Sequence, residues 1–213
     1  MTERNNTLKT WLMGLICCVL LGLPGLLLAA TPLDTVKANV DSVLQVLRDP
    51  KLQGEAGKKV KEQKVEAAAD QVFDFVELSK RTLGLNWNTF TMDQRKEFVQ
   101  LFRSILRDAY INKITAYTNE HVNFIKEVPL SDTTSEVQAV VVTKGGQIPV
   151  NTRLIKRGND WKVYDLVIEG VSLINNYRTQ FREILANNPP EKLLETLRNK
   201  PSTLTLTPPR GSQ

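Results

Sequence analysis

The apolar positions along this chain recur with two different periods, and the longest regular stretch runs from Thr91 to Tyr117. Its apolar residues follow the i, i+3, i+4, i+7 spacing that lines one face of an α-helix. Thr91 is followed three residues later by Gln94, a capping box that predicts the first turn. The opposite face is charged and polar. The pattern therefore predicts a helix of about 40 Å with one face in water.

Two interpretations of the apolar face of this helix remain open. The face carries the aromatic residues Phe98, Phe102, Tyr110 and Tyr117, which can either close a solid core or line a cavity for an apolar ligand. The wall of a core and the wall of a cavity have the same helical periodicity. The spacing alone does not separate the two.

The other helices are predicted from their capping signals. Thr31 and Asp34 form a second capping box, with proline at the first helical position, and Asp49-Pro50 ends that helix. Side chains that can cap helix starts occur again at Asp74 and Ser172. The further helices are predicted at 58–73, where lysines dominate, from Asp74 to Gly84, from Ser172 to Leu185, and after Pro189-Pro190.

From His121 onward the period changes to that of β-strands. The turn residues between the runs predict an antiparallel meander. In the last run apolar residues occur at odd positions, Val163 and Val167, and at even positions, Leu166 and Ile168. Because successive side chains of a strand point to opposite faces, we expect the middle strands to be covered on both faces, at least in part. The fold class is α+β, a mostly helical lobe on a four-stranded antiparallel sheet. The four runs are 121–128, 136–143, 148–157 and 161–168.

The N-terminal stretch has the pattern of an export signal. Arg4 and Lys9 precede an uncharged run that ends in the small residues Ala29 and Ala30. This predicts a signal peptide over residues 1–30, cleaved after Ala30. The run is nearly long enough to span a bilayer, so a retained anchor is the alternative. Residues 31–200 are expected to form one domain, and residues 201–213, which have no period, to be disordered.

Composition and charge narrow the class of partner. Both cysteines, Cys17 and Cys18, lie inside the predicted signal peptide, so the mature chain would have no thiol, and a core of this size needs no disulfide. The formal charge is +5 and becomes +4 without residues 1–30, which hold two basic residues and one acidic residue. Basic and acidic residues are interspersed, and nucleic acid is therefore not expected as a partner.

The chain offers little catalytic chemistry. Its one histidine, His121, has no neighbouring residues at metal-ligand spacing. No G-x-S-x-G elbow or phosphate-binding glycine loop is present in the sequence. Asp165 and Glu169 are four residues apart and could form a carboxylate pair, although a turn and capping role is the favoured interpretation. We therefore expect no catalytic residue, no metal and no cofactor.

One string makes the chain resemble a known family. WKVYDLVIEGVSLINNYRTQFREIL, from Trp161 to Leu185, is similar to the MlaC family, also called toluene-tolerance auxiliary proteins. The segments 73–87, 91–117 and 148–155 add to the resemblance. The most specific parts are W-K-V-Y-D, I-E-G-V-S-L and N-Y-R-x-Q-F. Thr152, where an aromatic residue is common, and the lysine-rich segment 58–64 depart from the family pattern.

The resemblance implies a periplasmic phospholipid carrier of Gram-negative bacteria. In that family, helices and a sheet enclose an apolar cavity for acyl chains, with the head group near its mouth. The implied partners are an inner-membrane ABC transporter with its substrate-presenting subunit and an outer-membrane lipoprotein complex, and a monomer is expected. Phospholipid would be cargo, not a cofactor. The rivals are an adaptor that docks a partner helix on its apolar face, and an enzyme that uses Asp165 and Tyr164.

The resemblance also suggests which residues meet the lipid. Apolar residues of the long helix, the sheet and the following helix are expected to line the cavity, and basic residues to contact the head group or a partner protein. The expected lining residues are Phe98, Phe102, Ile105, Tyr110, Val142, Val150, Leu154, Val163, Val167, Val171 and Tyr177. The expected head-group or partner contacts are Lys80, Arg81, Arg178 and Arg182.

Overall fold

The structure is a computed structural model that describes residues 30–117 and 121–199. The predicted disordered tail and all but the last residue of the predicted signal peptide lie outside this part. Over the described residues no helix combines the length and apolar character needed to cross a membrane. The elements within it are α1 (Pro32–Arg48), α2 (Gly54–Val72), α3 (Phe75–Leu83), α4 (Met92–Thr115), β1 (His121–Ser131), β2 (Thr134–Thr143), β3 (Gly146–Arg157), β4 (Asp160–Ile168), β5 (Val171–Ser172), α5 (Leu173–Leu185) and α6 (Pro190–Asn199).

Local side-chain hydrogen bonds set where the helices begin. The Thr31 and Thr91 hydroxyls each accept from the backbone N–H three residues on, and the side chain at that position accepts in return from the threonine backbone. These are the two predicted capping boxes. The Asp74 carboxylate and the Ser172 hydroxyl likewise accept from the third residue of α3 and of α5. All four predicted helix starts are confirmed.

The sheet is an antiparallel meander in the order β1-β2-β3-β4-β5. Four of its strands are those predicted from the sequence. The fifth, Val171–Ser172, pairs with Val167 and Ile168 at the end of β4. Glu169 and Gly170 join these two strands with φ values of 50° and 82°, as in a two-residue hairpin with a primed turn. A strand of two residues has no period to detect, so the sequence indicated only four strands.

The helices lie on both faces of the sheet. Helix α1 covers one face, where Val36 packs with Val137, Leu154 and Val163. Helices α3 and α5 lie on the other face at the β4 end. There Tyr164 joins the larger apolar cluster of the helical lobe. Adjacent residues of β4 thus point into two different cores. This explains why apolar residues occur at both odd and even positions of that strand.

Helix α6 completes the helical lobe by packing along α4. Its three leucines, Leu193, Leu194 and Leu197, are at most 2% exposed and belong to the same cluster as the apolar face of α4. At the surface the Arg198 guanidinium donates to the Glu97 carboxylate at 2.6 Å. This exposed ion pair adds little stability, so burial of the leucines is the main force that holds α6 in place.

Helix α2 starts earlier than the lysine-rich pattern predicted. It begins at Gly54, and Gly57 lies inside its first turn. A β-carbon on Gly57 would overlap the backbone of Leu52 in the preceding 3-10 turn. Gly54 and Gly57, which precede the predicted helix, are therefore part of it, and Gly57 permits close backbone approach.

Replacing Gly57 with alanine should lower the free energy of unfolding by about 1–3 kcal/mol, the usual cost of overpacking. The sign of this stability change is informative, because glycine-to-alanine changes inside helices normally raise the free energy of unfolding by up to about 1 kcal/mol. Urea denaturation followed by circular dichroism measures the change. The control is Gly145→Ala in the β2–β3 turn, where a β-carbon meets only the Thr143 side chain at ordinary distance. A more stable Gly57→Ala protein would contradict this packing.

Candidate ligand site

The larger of the two buried apolar clusters in the described residues includes a group of aromatic rings between α4 and α5. Phe98 and Phe102 of α4 meet Tyr177 and Phe181 of α5, with ring centroids 5.0 to 5.6 Å apart. Every α4–α5 ring pair is edge-on, a geometry that aromatic pairs prefer. All four side chains are at most 1% exposed. We call these four residues the aromatic cluster.

Polar atoms without partners lie beside the aromatic cluster. Within residues 30–117 and 121–199, three buried side-chain atoms have no hydrogen-bond partner: the Tyr110 and Tyr177 hydroxyls and the Asn176 amide nitrogen. Burial raises the pKa of Tyr177 to about 12. Burial also raises the pKa of Tyr110, and the nearby Tyr177 adds to that shift. Both phenols are therefore neutral at physiological pH.

An open cleft of about 390 Å³ lies where the last strands of the sheet meet the start of α5. Asn176 lines this cleft, and the next residue, Tyr177, enters the aromatic cluster. The first turns of α5 therefore form the boundary between the cleft and the apolar core. The residues that line the cleft are Arg153, Val167, Gly170, Val171, Ser172, Asn175 and Asn176.

The charge of Arg153 in this cleft is balanced by two carboxylates. Its guanidinium donates to Glu136 at 2.9 Å and to Asp165 at 3.3 Å. Burial acts to raise the pKa of Glu136, but hydrogen bonds from Gln138 and Arg153 outweigh it, and the net shift is downward. The two carboxyl groups therefore offset the charge of Arg153, and this group of three residues gives the cleft no net positive charge.

Asp165 fixes the start of α5 to the sheet. Its carboxylate accepts from the Ser172 hydroxyl at 2.7 Å and from the Ile174 N–H at 3.1 Å. Burial raises the pKa of Asp165, against the effect of these hydrogen bonds and of Arg153. Glu169 lies in the β4–β5 turn and is exposed. The favoured turn and capping interpretation of these two acids agrees with this geometry.

The structure places seven of the eleven expected lining residues in the apolar cluster of the helical lobe, at its edge or in the cleft. Ile105 belongs to the same buried cluster as the aromatic rings, with 2% exposure. Tyr110 lies at the edge of that cluster, where the exposed Lys113 ammonium is 5.7 Å from its ring centre. The seven are Phe98, Phe102, Ile105, Tyr110, Tyr177, and the two valines of the cleft, Val167 and Val171.

The other four expected lining residues lie elsewhere. Leu154 and Val163 are buried under α1, on the opposite face of the sheet. Val150 shares that face, because it pairs with Ala139, which in turn pairs with Phe124 of the α1-side cluster. Val142 is half-buried at the far end of β2, opposite Gln147.

A β-bulge explains why the sequence placed Val163 and Val167 together. Arg153 pairs with Asp165, and the next residue, Leu154, pairs with Val163. Tyr164 is therefore an extra residue in β4. After it, the odd-numbered and even-numbered side chains exchange the faces of the sheet to which they point. Val163 and Val167, four residues apart, would share a face of a regular strand and lie on opposite faces here.

The four expected basic residues lie outside the cleft. Arg81 pairs with Glu77 at 2.7 Å, and its guanidinium lies 4.1 Å from the centre of the Tyr164 ring. Arg178 donates twice to the Arg81 carbonyl oxygen, at 2.6 and 3.1 Å. These two arginines join α3 to α5, and Lys80 and Arg182 are exposed. A head-group or partner contact for any of the four stays a prediction.

The sequence reasoning missed Arg153, Asn175 and Asn176 as cleft residues. Asn175 and Asn176 gave no distinct signal, because polar residues are ordinary in the first turns of an amphipathic helix. Arg153 gave no signal, because its position on the cleft face depends on strand register. Among the residues that the structure describes, no three His, Cys, Asp or Glu side chains are grouped to hold a metal ion.

The fold, a helical lobe on an antiparallel meander with a cleft beside a large apolar core, is that of a known class of proteins. A family model described as MlaC protein matches residues 37–199. The chain belongs to the MlaC family. The resemblance drawn from the Trp161 to Leu185 string is confirmed.

Two related proteins give the degree of sequence similarity. The intermembrane phospholipid transport system binding protein MlaC of Haemophilus influenzae is 25% identical over 101 residues, which are 45% of this chain and 47% of that protein. The chain thus matches about half the length of that relative. Toluene tolerance protein ttg2D of Pseudomonas putida is 24% identical over 162 residues, 75% of each protein.

A solved structure shares the fold. The phospholipid-binding protein from Ralstonia solanacearum, determined in complex with a phospholipid, has a TM-score of 0.72 and 27% identity, covering 82% of this chain and 99% of that one. The predicted α+β class, a helical lobe on an antiparallel sheet, is confirmed.

Asp165→Ala should lower the free energy of unfolding by about 1–3 kcal/mol, because it leaves buried donors at Ser172 and Ile174 without an acceptor. Urea denaturation measures the effect. The matched control is Glu183→Ala, which removes an exposed carboxylate from the outer face of α5 and should change stability by less than about 0.5 kcal/mol. Equal stability of the two variants would contradict the anchoring role of Asp165.

Proposed function

We propose that this protein is a periplasmic phospholipid carrier that holds the acyl chains of its lipid between α4, α5 and the sheet. The observation that supports this most directly is the cleft that opens beside the aromatic cluster, with Asn176 on one side of the boundary and Tyr177 on the other. Membership of the MlaC family and the phospholipid in the Ralstonia relative support the choice of ligand.

The energetics of lipid transfer explain why such a site needs apolar surface and no catalytic group. Each buried CH₂ is worth roughly 0.8 kcal/mol, so two acyl chains with about 30 methylenes would cost on the order of 20 kcal/mol to expose to water. A carrier must therefore offer a slot about as favourable as the bilayer. Loading and unloading are then nearly isoenergetic, and a partner can shift the balance in either direction.

The α5 side of the sheet is better suited to the lipid than the α1 side. Among the described residues, the cluster on the α5 side contains fifteen buried apolar residues and the cluster under α1 contains five. The three unpartnered polar atoms belong to α4 and α5. Leu154 and Val163, under α1, are therefore assigned to core in this proposal, and the seven residues on the α5 side are assigned to the slot.

The slot opens by rearrangement of side chains between α4 and α5. The two helices meet through long aromatic side chains and not through close backbone approach. Beyond their preferred edge-on geometry, these ring pairs are held by dispersion contacts that are individually weak. An acyl chain can replace ring-to-ring contacts by ring-to-chain contacts of similar energy. The cleft, near the small end of the roughly 300–1,000 Å³ range of ligand pockets, is the entrance.

Family membership and the N-terminal sequence support the proposed partners and compartment. The predicted signal peptide over residues 1–30 supports export to the periplasm. The carrier then exchanges lipid with an inner-membrane ABC transporter through its substrate-presenting subunit and with an outer-membrane lipoprotein complex, and it acts as a monomer. The direction of exchange is set by these partners, since the slot itself is nearly isoenergetic with the bilayer.

The rival functions have less support. An adaptor would need the apolar face of α4 at the surface, and Phe98, Phe102 and Ile105 are instead at most 2% exposed. An enzyme would need Asp165 and Tyr164 available to a substrate. Asp165 is engaged as the anchor of α5, and Tyr164 lies beneath the Arg81 guanidinium.

Val171→Arg should reduce bound phospholipid about tenfold, because it places a charge in the cleft where acyl chains would pass and a loss of about 1.4 kcal/mol is a tenfold loss of affinity. The measurement is native mass spectrometry with lipid extraction, on protein exported and purified without detergent. The matched control is Val76→Arg, since Val76 is 56% exposed on α3. Circular dichroism checks that both variants fold.

Equal lipid occupancy in the two valine variants would contradict the placement of the slot but not the carrier function. Wild-type protein that purifies without lipid and takes none from vesicles would contradict the carrier function itself. The adaptor would then become the leading hypothesis.

A further inference from the structure

The three unpartnered polar atoms stand out against the rest of the interior. Two other buried hydroxyls have partners: the Thr82 hydroxyl donates to the Leu78 carbonyl, and the Ser172 hydroxyl donates to the Asp165 carboxylate. A buried polar group without a partner costs about 1–3 kcal/mol, and such groups are rare in native proteins. The hydroxyls of Tyr110 and Tyr177 and the Asn176 amide nitrogen therefore call for an explanation.

These three atoms lie in one region. Asn176 lines the cleft, Tyr177 is its chain neighbour, and Tyr110 packs against the same buried cluster that contains Tyr177. Tyr177 is fully buried. A ligand that passes from the cleft into the aromatic cluster would meet all three donors at the depth where its polar part gives way to its apolar part.

The donors suit a neutral acceptor. An amide N–H₂ and two neutral phenols can each donate one hydrogen bond or more without carrying charge. A phosphate would be better matched by a free cation, and the guanidinium of the cleft, Arg153, is shared between Glu136 and Asp165. A cationic head group offers donors and would leave the Asn176 N–H₂ unpaired.

The neutral acceptors of a glycerophospholipid are its two ester carbonyl groups. They lie at the junction of glycerol and acyl chains, and are therefore the polar atoms that enter an apolar slot most deeply. Burying a carbonyl without a hydrogen bond is costly, so donors at that depth would stabilise the bound lipid. The phosphate and the head group, being further from the acyl chains, would stay in the open cleft or in water.

We propose that Tyr110, Tyr177 and Asn176 donate hydrogen bonds to the ester carbonyl oxygens of the bound lipid, so that the protein selects diester lipids over diether lipids and tolerates different head groups. This inference rests on the proposed carrier function. It assigns specificity to the linkage between glycerol and chain, whereas the apolar residues of the slot supply affinity.

The test is a competition between two lipids that differ only in the linkage. The lipid-free mature protein is incubated with vesicles that contain equal amounts of dipalmitoyl phosphatidylcholine and its dihexadecyl diether analogue. Native mass spectrometry then gives the ratio of the two bound lipids. Loss of two hydrogen bonds corresponds to about tenfold in affinity, so the wild-type protein should favour the diester lipid by about that factor.

Tyrosine-to-phenylalanine variants connect the selectivity to the named atoms. Tyr110→Phe and Tyr177→Phe keep the ring and should each reduce the diester preference several-fold, with diether binding unchanged. They should also make the lipid-free protein more resistant to urea, because each removes an unpartnered buried hydroxyl. Tyr117→Phe, a half-buried tyrosine of the same segment outside this set, is the control and should change neither quantity.

Equal uptake of diester and diether lipids by the wild-type protein would overturn the inference and leave the carrier function intact. The same holds if the two variants keep the full preference. A strong preference between phosphatidylglycerol and phosphatidylethanolamine in the same assay would also overturn it, since a charged head group would then be recognised. Failure to take up any of these lipids would overturn the proposed function itself.

Discussion

The contact between α4 and α5 is made by aromatic side chains, and the organisation of the helical lobe depends on it. Phe98 and Phe102 on one helix and Tyr177 and Phe181 on the other fill the space between two backbones that do not approach closely. Helix α6 packs on the same cluster through its leucines. A core made in this way is dense, yet its members are joined by contacts without strict directionality.

The ends of these helices are fixed by a different kind of interaction. Hydrogen bonds to Thr91 and Gln94 fix the start of α4, and hydrogen bonds to Ser172 and Asp165 fix the start of α5. Directional polar bonds therefore hold the starts of both helices, while apolar contacts fill the interior between them. Such an arrangement allows an apolar ligand to part the side chains without unfolding the helices, as a lipid carrier requires.

The sequence predicted features that depend on nearby residues. The capping boxes at Thr31 and Thr91 and the turns of the meander follow from signals within a few residues, so the four capped helix starts and the order of strands were correct. Features that depend on distant pairing were missed. The extra residue Tyr164 in β4 moves Val163 to the α1 side, and only the register with β3 reveals this. The overlap between Gly57 and Leu52 likewise depends on how two elements meet in space.

The central claim is that acyl chains enter on the α5 side of the sheet, and paramagnetic broadening tests it most directly. A phospholipid with a nitroxide on one acyl chain is loaded into protein with labelled Ile, Leu and Val methyl groups, and spectra are compared with the reduced, diamagnetic lipid. The account predicts strong broadening at Ile105 and Val167 and little at Leu154 and Val163, which lie under α1. Broadening concentrated at Leu154 and Val163 would contradict it.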